Sequence, residues 1–208
     1  EPPSHLSDVQ GATLPFAALT AWCALGGVAA GDCVVVQGTN GVMLWALQLA
    51  RAAGAEVILT SKNEDKLARA RTLGAAHTIN YQALPEWADA VLEITRGCGA
   101  DCVLDPGGAA TIAQSLQALR PGGTCSVVGA LGASPELAVS LPWLLGHQLR
   151  VQGCNAGSLA EHRSLVQAVT AARLVPEVER TWPFENLPDA LAAAPKAEQF
   201  GKVVLRIA

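Results

Sequence analysis

One hexapeptide carries more potential chemistry than any other stretch of the chain. Gly38-Thr39-Asn40-Gly41-Val42-Met43 follows the apolar run Val34-Val35-Val36-Gln37 and leads straight into an Ala/Leu-rich segment. A strand, a tight glycine turn and a helix N-terminus leave unpaired backbone N–H groups, and the positive end of a helix dipole, where a pyrophosphate can bind. A complete dinucleotide fingerprint has Gly at 38, 40 and 43, and here Asn40 and Met43 take two of those places. Asn is the non-Gly residue most tolerant of positive φ if the turn demands it, but its side chain can crowd the phosphates. Met43 is expected to push the helix outward from the strand. A plain tight turn is the competing reading.

About 20 residues further on, where an Asp or Glu would hold the ribose hydroxyls of NAD, the sequence has Thr60-Ser61-Lys62. A carboxylate there repels a 2′-phosphate, whereas a hydroxyl beside a lysine attracts it. The residues therefore favour NADP, with NAD possible, and Lys62 and Lys66 are the cationic candidates against a solvated helix face.

Other reactive side chains are less telling. The 6 cysteines (Cys23, Cys33, Cys98, Cys102, Cys125, Cys154) lack the paired spacings of a zinc ribbon and read as reduced, mostly buried small hydrophobes. Cys98 and Cys102 could oxidise, but a loop before a buried strand explains them more simply. The 4 histidines (His5, His77, His147, His162) pair with no Cys or second His at ligand spacing. Tyr81, the only tyrosine, has no Lys four residues on, which argues against a short-chain reductase. Gln37 stands where a methyltransferase would usually carry an acidic residue.

The elements that must position the turn follow from hydrophobic pattern. Short β-branched runs at Cys33–Gln37, Glu56–Thr60, His77–Asn80, Asp101–Asp105, Thr124–Gly129 and Leu149–Gly153 read as six strands. Between them Gly41–Ala53, Asn63–Leu73, Pro85–Arg96, Ala109–Leu119 and the short Pro142–His147 read as helices. Gly54 and Gly74 stand where helices end, and Pro121-Gly122-Gly123 is expected to turn into the fifth strand. This alternation predicts an α/β Rossmann fold: a doubly wound, parallel, six-stranded sheet with helices on both faces. Residues 4–25 read as an apolar helical stretch with Pro15 near its start. The tail adds a helix Leu159–Ala172, a strand Val178–Trp182, a short helix near Leu187–Ala194 and a closing strand Lys202–Ile207. The division expected is a lead-in helical segment 1–25, an NAD(P)-binding domain 26–157 and a C-terminal segment 158–208.

With 208 residues, 14 Lys plus Arg against 18 Asp plus Glu and a net charge of −4, the chain lacks the basic excess of a nucleic-acid binder. Half of it is apolar and only 15% is charged, so a large core is expected. No apolar run reaches the ~18 residues of a membrane span. No signal sequence opens the chain, so a soluble, cytoplasmic protein is expected.

The assembled pattern resembles the medium-chain dehydrogenase/reductase family, the group of zinc-type alcohol dehydrogenases and quinone or enoyl reductases. The resemblance runs through Thr13-Leu14-Pro15-Phe16-Ala17-Ala18-Leu19-Thr20-Ala21-Trp22, Val35-Val36-Gln37-Gly38-Thr39, Ala46 to Ala55, Leu73-Gly74-Ala75, Ile79-Asn80-Tyr81, Leu119-Arg120-Pro121-Gly122-Gly123 and Gly201-Lys202-Val203-Val204. It implies hydride transfer between NADPH and a small-molecule carbonyl, quinone or activated alkene. It also implies an N-terminal GroES-like catalytic domain, of which no counterpart is present; together with the non-Met start this points to a truncation, and no general acid or base is identifiable. By resemblance, Thr20 lies near the nicotinamide; Gly38, Thr39, Asn40, Gly41, Val42 and Met43 take the pyrophosphate turn. Ser61, Lys66 and Tyr81 resemble adenosine-phosphate contacts, and Gly108, Gly129, Ala130 and Leu131 lie where the backbone touches the nicotinamide.

Two departures matter. Phe16 stands where zinc-dependent members commonly have a ligand Cys, so no zinc is expected in this chain. Pro106, in Asp105-Pro106-Gly107-Gly108, removes one backbone donor near the coenzyme. Related proteins dimerise along the strand matching Leu149–Gly153, so a homodimer is expected, with Trp143 covering its interface. A module that binds a nucleotide without catalysis remains the alternative.

Overall fold

The computed structural model describes residues 1–130, 134, 136, 138–193 and 199–207. Its first helix, α1 (Asp8–Gly11), is capped by Ser7 and followed by a π-helical turn, Leu14–Ala18, and α2 (Leu19–Leu25). The single lead-in helix expected over 4–25 is thus three pieces, with Pro15, which has no N–H to donate, in the first turn of the π-helical piece. Then come β1 (Cys33–Gln37), α3 (Gly41–Ala52), β2 (Glu56–Ser61), α4 (Glu64–Thr72), β3 (His77–Asn80), α5 (Trp87–Ile94) and β4 (Ala100–Asp105). A 3-10 turn, Gly108–Ala110, precedes α6 (Ile112–Gln117). The continuous helix expected over 109–119 breaks at Thr111 (φ −124°), whose hydroxyl donates to Asp105 Oδ1 at 2.6 Å. The chain continues through β5 (Leu119–Val127), α7 (Leu141–Gly146), β6 (Arg150–Gly153), α8 (Leu159–Ala172), β7 (Val178–Pro183), a 3-10 turn Phe184–Asn186, α9 (Leu187–Ala193) and β8 (Lys202–Arg206).

Six strands form one parallel sheet in the order β3-β2-β1-β4-β5-β6. Strand residues alternate between its two faces, as a period of two requires. Val34, Val36, Val57, Leu59, Cys102 and Leu104 join a core with residues of α2, α3, α4 and α8, while Val35, Ile58, Val103 and Cys125 pack with α5 and α6. The doubly wound fold expected from the sequence is therefore the one formed, and α2 and α8 share its core.

The segment Pro121-Gly122-Gly123 does not turn into the fifth strand but lies inside it. Ala100 pairs with Leu119 and Cys102 with Thr124, so β5 accommodates extra residues as a bulge between those pairs. A separate two-stranded parallel sheet, β7-β8, lies beyond α8. Among the described residues, no helix is long and apolar enough to cross a membrane.

Candidate functional site

Strand order reverses between β1 and β4, and ligands of open α/β sheets bind outside the carboxyl ends of the strands at such a point. The turn Gly38–Asn40 leaves β1 at this crevice and delivers the N-terminus of α3 into it. Gly38 has φ +96°, a conformation glycine adopts without strain, and its N–H donates to Thr60 O at 2.8 Å, tying the turn to β2. Asn40, in contrast, is extended, with φ −73° and ψ 174°, so the positive φ that an Asn would tolerate is not required here. Its Oδ1 accepts the N–H groups of Val42 and Met43 at 2.9 and 3.1 Å, making Asn40 the N-cap of α3. Met43 is fully buried in the core.

Lys202, to which no role was assigned from the sequence, arrives from far along the chain. Gly201 donates its N–H to Thr39 O at 2.9 Å and forms a parallel bridge with Asn40. It has φ +100°, and any Cβ on it would collide with Glu177 O, so only glycine brings the strand in this close. The Lys202 side chain consequently lies across Gly41, filling the space where a Cβ would stand. The signal available in sequence was the Gly-Lys pair heading the last strand, but only the fold brings it to the turn.

At the end of β2, Ser61 is buried and its Oγ accepts the Asn63 N–H at 3.3 Å, while Tyr81 N–H donates to Ser61 O at 3.2 Å. Tyr81 and Lys62 are exposed, and Lys66 lies one turn into α4, where Asn63 Oδ1 caps its N–H. The β2–β3 pairing thus brings Ser61 and Tyr81 together, with Lys62 next in the chain and Glu64 at the start of α4 accepting from Asn80 Nδ2 there.

Past β4 and β5 two loops close on each other. A Cβ on Gly108 would lie 3.3 Å from Ala130 Cα, and one on Gly129 would lie 2.9 Å from Pro106 O. Leu131 falls outside the described residues. Holding this corner is a residue that sequence reasoning passed over. Asp105 is fully buried, and its Oδ1 accepts from Gly107 N and Gly108 N at 2.8 Å each as well as from Thr111. Its Oδ2 accepts from Ser115 Oγ at 2.5 Å, and that oxygen in turn accepts from Gln37 Nε2 at 2.7 Å. Attention to Pro106 hid the acidic residue before it. Thr20 is likewise engaged, since its hydroxyl donates to Phe16 O at 2.8 Å and accepts from Ala156 N–H at 3.1 Å.

No thiol here is a ready nucleophile among the groups that burial shifts. Burial pushes Cys23 up to about 11, helped by the neighbouring Glu161 carboxylate, and Cys33 and Cys102 up to about 12. Cys125 and Cys154 move the same way for the same reason. All six cysteines are free. Among the described residues no three of His, Cys, Asp and Glu converge to hold a metal, and Phe16 offers none a donor. For a nucleotide diphosphate the residues present do fit: a twelve-residue helix N-terminus, a side-chain-free Gly41 and a lysine laid across it.

Fold and turn together define a dinucleotide-type, doubly wound α/β protein. Residues 41–171 match the family model described as zinc-binding dehydrogenase, and the chain belongs to that family, within the medium-chain dehydrogenases/reductases. It is 39% identical over 213 residues to a zinc-type alcohol dehydrogenase-like protein of Schizosaccharomyces pombe, covering 99% of this chain and 62% of the relative. A 2-haloacrylate reductase of Burkholderia sp is 33% identical, with 84% and 55% covered. Among solved structures, a Sinorhizobium meliloti protein described as an alcohol dehydrogenase superposes with a TM-score of 0.93 at 42% identity, covering 99% of this chain and 60% of that one. An NAD-dependent alcohol dehydrogenase superposes with a TM-score of 0.91 at 33% identity, covering 100% and 61%. The chain thus spans about 60% of the length of these first relatives.

Proposed function

We propose that this chain is the coenzyme-binding part of an oxidoreductase that moves hydride between a nicotinamide coenzyme and a small-molecule carbonyl, quinone or activated alkene, with NADP preferred. The carrying observation is the head of α3, set at the point where strand order reverses and crossed by Lys202. When bound, the coenzyme supplies the hydride at its nicotinamide C4. The protein's task is to hold it. Gly38 to Met43 and Lys202 take the diphosphate; Ser61, Lys62, Lys66 and Tyr81 take the adenosine end. Thr20, Gly108, Gly129 and Ala130 face the nicotinamide end, with Asp105 keeping the Gly107–Gly108 backbone in shape. No metal step is assigned to these residues.

A strand end without a carboxylate supports NADP, although the NAD-dependent relative keeps NAD in play. Residues 26–157 form the coenzyme domain in this reading, and the tail from about Val175 meets the remainder of a longer protein. A groove of about 760 Å³ between α1 and β7-β8, lined by Asp8, Val9, Val204 and Arg206 among others, suits such cover. We further propose a homodimer through β6, an edge strand whose four residues are all exposed, beside the exposed Leu141, Trp143 and Leu145 of α7.

Calorimetric titration with NADPH and NADH tests the coenzyme reading: NADPH binding the tighter supports it, and no heat with either at millimolar concentration overturns it. Turnover of NADPH with a panel of enones and quinones by the chain joined to a GroES-like segment tests the reaction; binding without turnover leaves a non-catalytic module. Light scattering showing a monomer at micromolar concentration removes the dimer.

A further inference from the structure

The side chain of Asn40 sits in the place that its own turn offers to a phosphate. Of the N–H groups at the first three positions of α3, those of Val42 and Met43 already donate to Asn40 Oδ1. Asn40 is exposed, so this carboxamide is open to exchange with anything that arrives from solvent. On the other side Lys202 lies along Gly41, held there by the Gly201–Thr39 bond. The crevice therefore has the positive end of α3 and the Lys202 stem beside it, but two of its donors are spent internally. A glycine at this position would leave them free.

We propose that Asn40 is an internal competitor for the coenzyme diphosphate, capping α3 in the free chain and turning out when the ligand binds, so that this residue sets the affinity of the site. The inference rests on the coenzyme reading above and adds its affinity-determining residue. A phosphate oxygen is anionic, and charge-assisted bonds are roughly twice as strong as those to a neutral amide oxygen, so displacement is favourable. It still forfeits the cap, which weakens binding by about twofold relative to a glycine turn with nothing to displace.

The experiment measures two quantities on the 208-residue chain, Asn40→Gly and Asn40→Asp: NADPH affinity by calorimetry and ligand-free Tm. Asn40→Gly is expected to bind NADPH about twofold tighter while the free chain melts about 1 °C lower. Asn40→Asp keeps the cap with a charged acceptor, so it is expected to melt no lower than the parent and to bind about tenfold more weakly. Affinity and free-chain stability moving in opposite directions across the series supports the proposal. An Asn40→Gly chain that binds no tighter than the parent overturns it while leaving the coenzyme reading intact. No heat from any of the three proteins at millimolar NADPH overturns both.

Discussion

The two parallel sheets of this molecule live in different solvents. Val34, Val35 and Val36 in β1 and Ile58 and Leu59 in β2 have no exposure at all, whereas every residue of β7 and β8 is at least partly exposed. The six-stranded sheet is covered on both faces by helices of this chain and is held by apolar burial. The smaller sheet is held by particular polar contacts. Arg69 on α4 donates to Glu179 Oε2 at 3.2 and 3.3 Å, lies 3.9 Å from Glu177 Oε2, and stacks its guanidinium 3.9 Å above the Phe200 ring. One sheet completes its own core; the other is tethered by its rim.

The sharpest way to break the contrast is to remove equivalent bulk from each sheet. Leu59→Ala is expected to cost about 2–5 kcal/mol, because a fully buried leucine leaves a cavity, whereas Val203→Ala in β8 is expected to cost less than about 1 kcal/mol. Urea unfolding measures both, and equal losses would erase the distinction. Alkali should act next, chiefly through the large sheet. Its thiols Cys33, Cys102 and Cys125 titrate above their ordinary value of 9.0 when folded. Below pH 9 both states keep these protons. Above it the unfolded chain loses them first, so stability falls as pH rises from about 9 towards 12. Replacing the three cysteines by alanine should flatten that slope, which denaturation at stepped pH would register. Smallest of all, Arg69→Ala is expected to cost about 0.5–1 kcal/mol globally, since Arg69 is half exposed and its carboxylate partners about a third. The same change should speed hydrogen exchange in β7-β8 while β1 and β2 stay protected.

How legible each region was in the sequence follows the same divide. β1, β3 and α8 have the very bounds that the β-branched runs and the Ser158 start imply, because burial on one or both faces imposes a period that single residues cannot disguise. The turn at the head of α3 was legible as a position but not in its hydrogen bonding. Asn40 could be seen to replace a glycine, yet whether its amide faced outward or folded back on Val42 and Met43 depends on one side-chain rotation that no spacing records. Asp105 escaped notice because its side-chain partners Thr111 and Ser115, with Gln37 bonded behind Ser115, come together only after β1, β4 and α6 pack. The β5 bulge hid behind a Pro-Gly-Gly signal that reads as a turn wherever it occurs.

The bond from Gly201 to Thr39 also has a bearing on how the molecule is made. Every strand of the large sheet has been synthesised by residue 153, long before Gly201 and Lys202 emerge to lie over the mouth of the crevice. A polypeptide released early, anywhere between the end of α8 and Phe200, would keep the parallel sheet and most of its apolar interior, Phe200 excepted, yet lack the lysine above Gly41. Quality control that senses only exposed core would let such a fragment through.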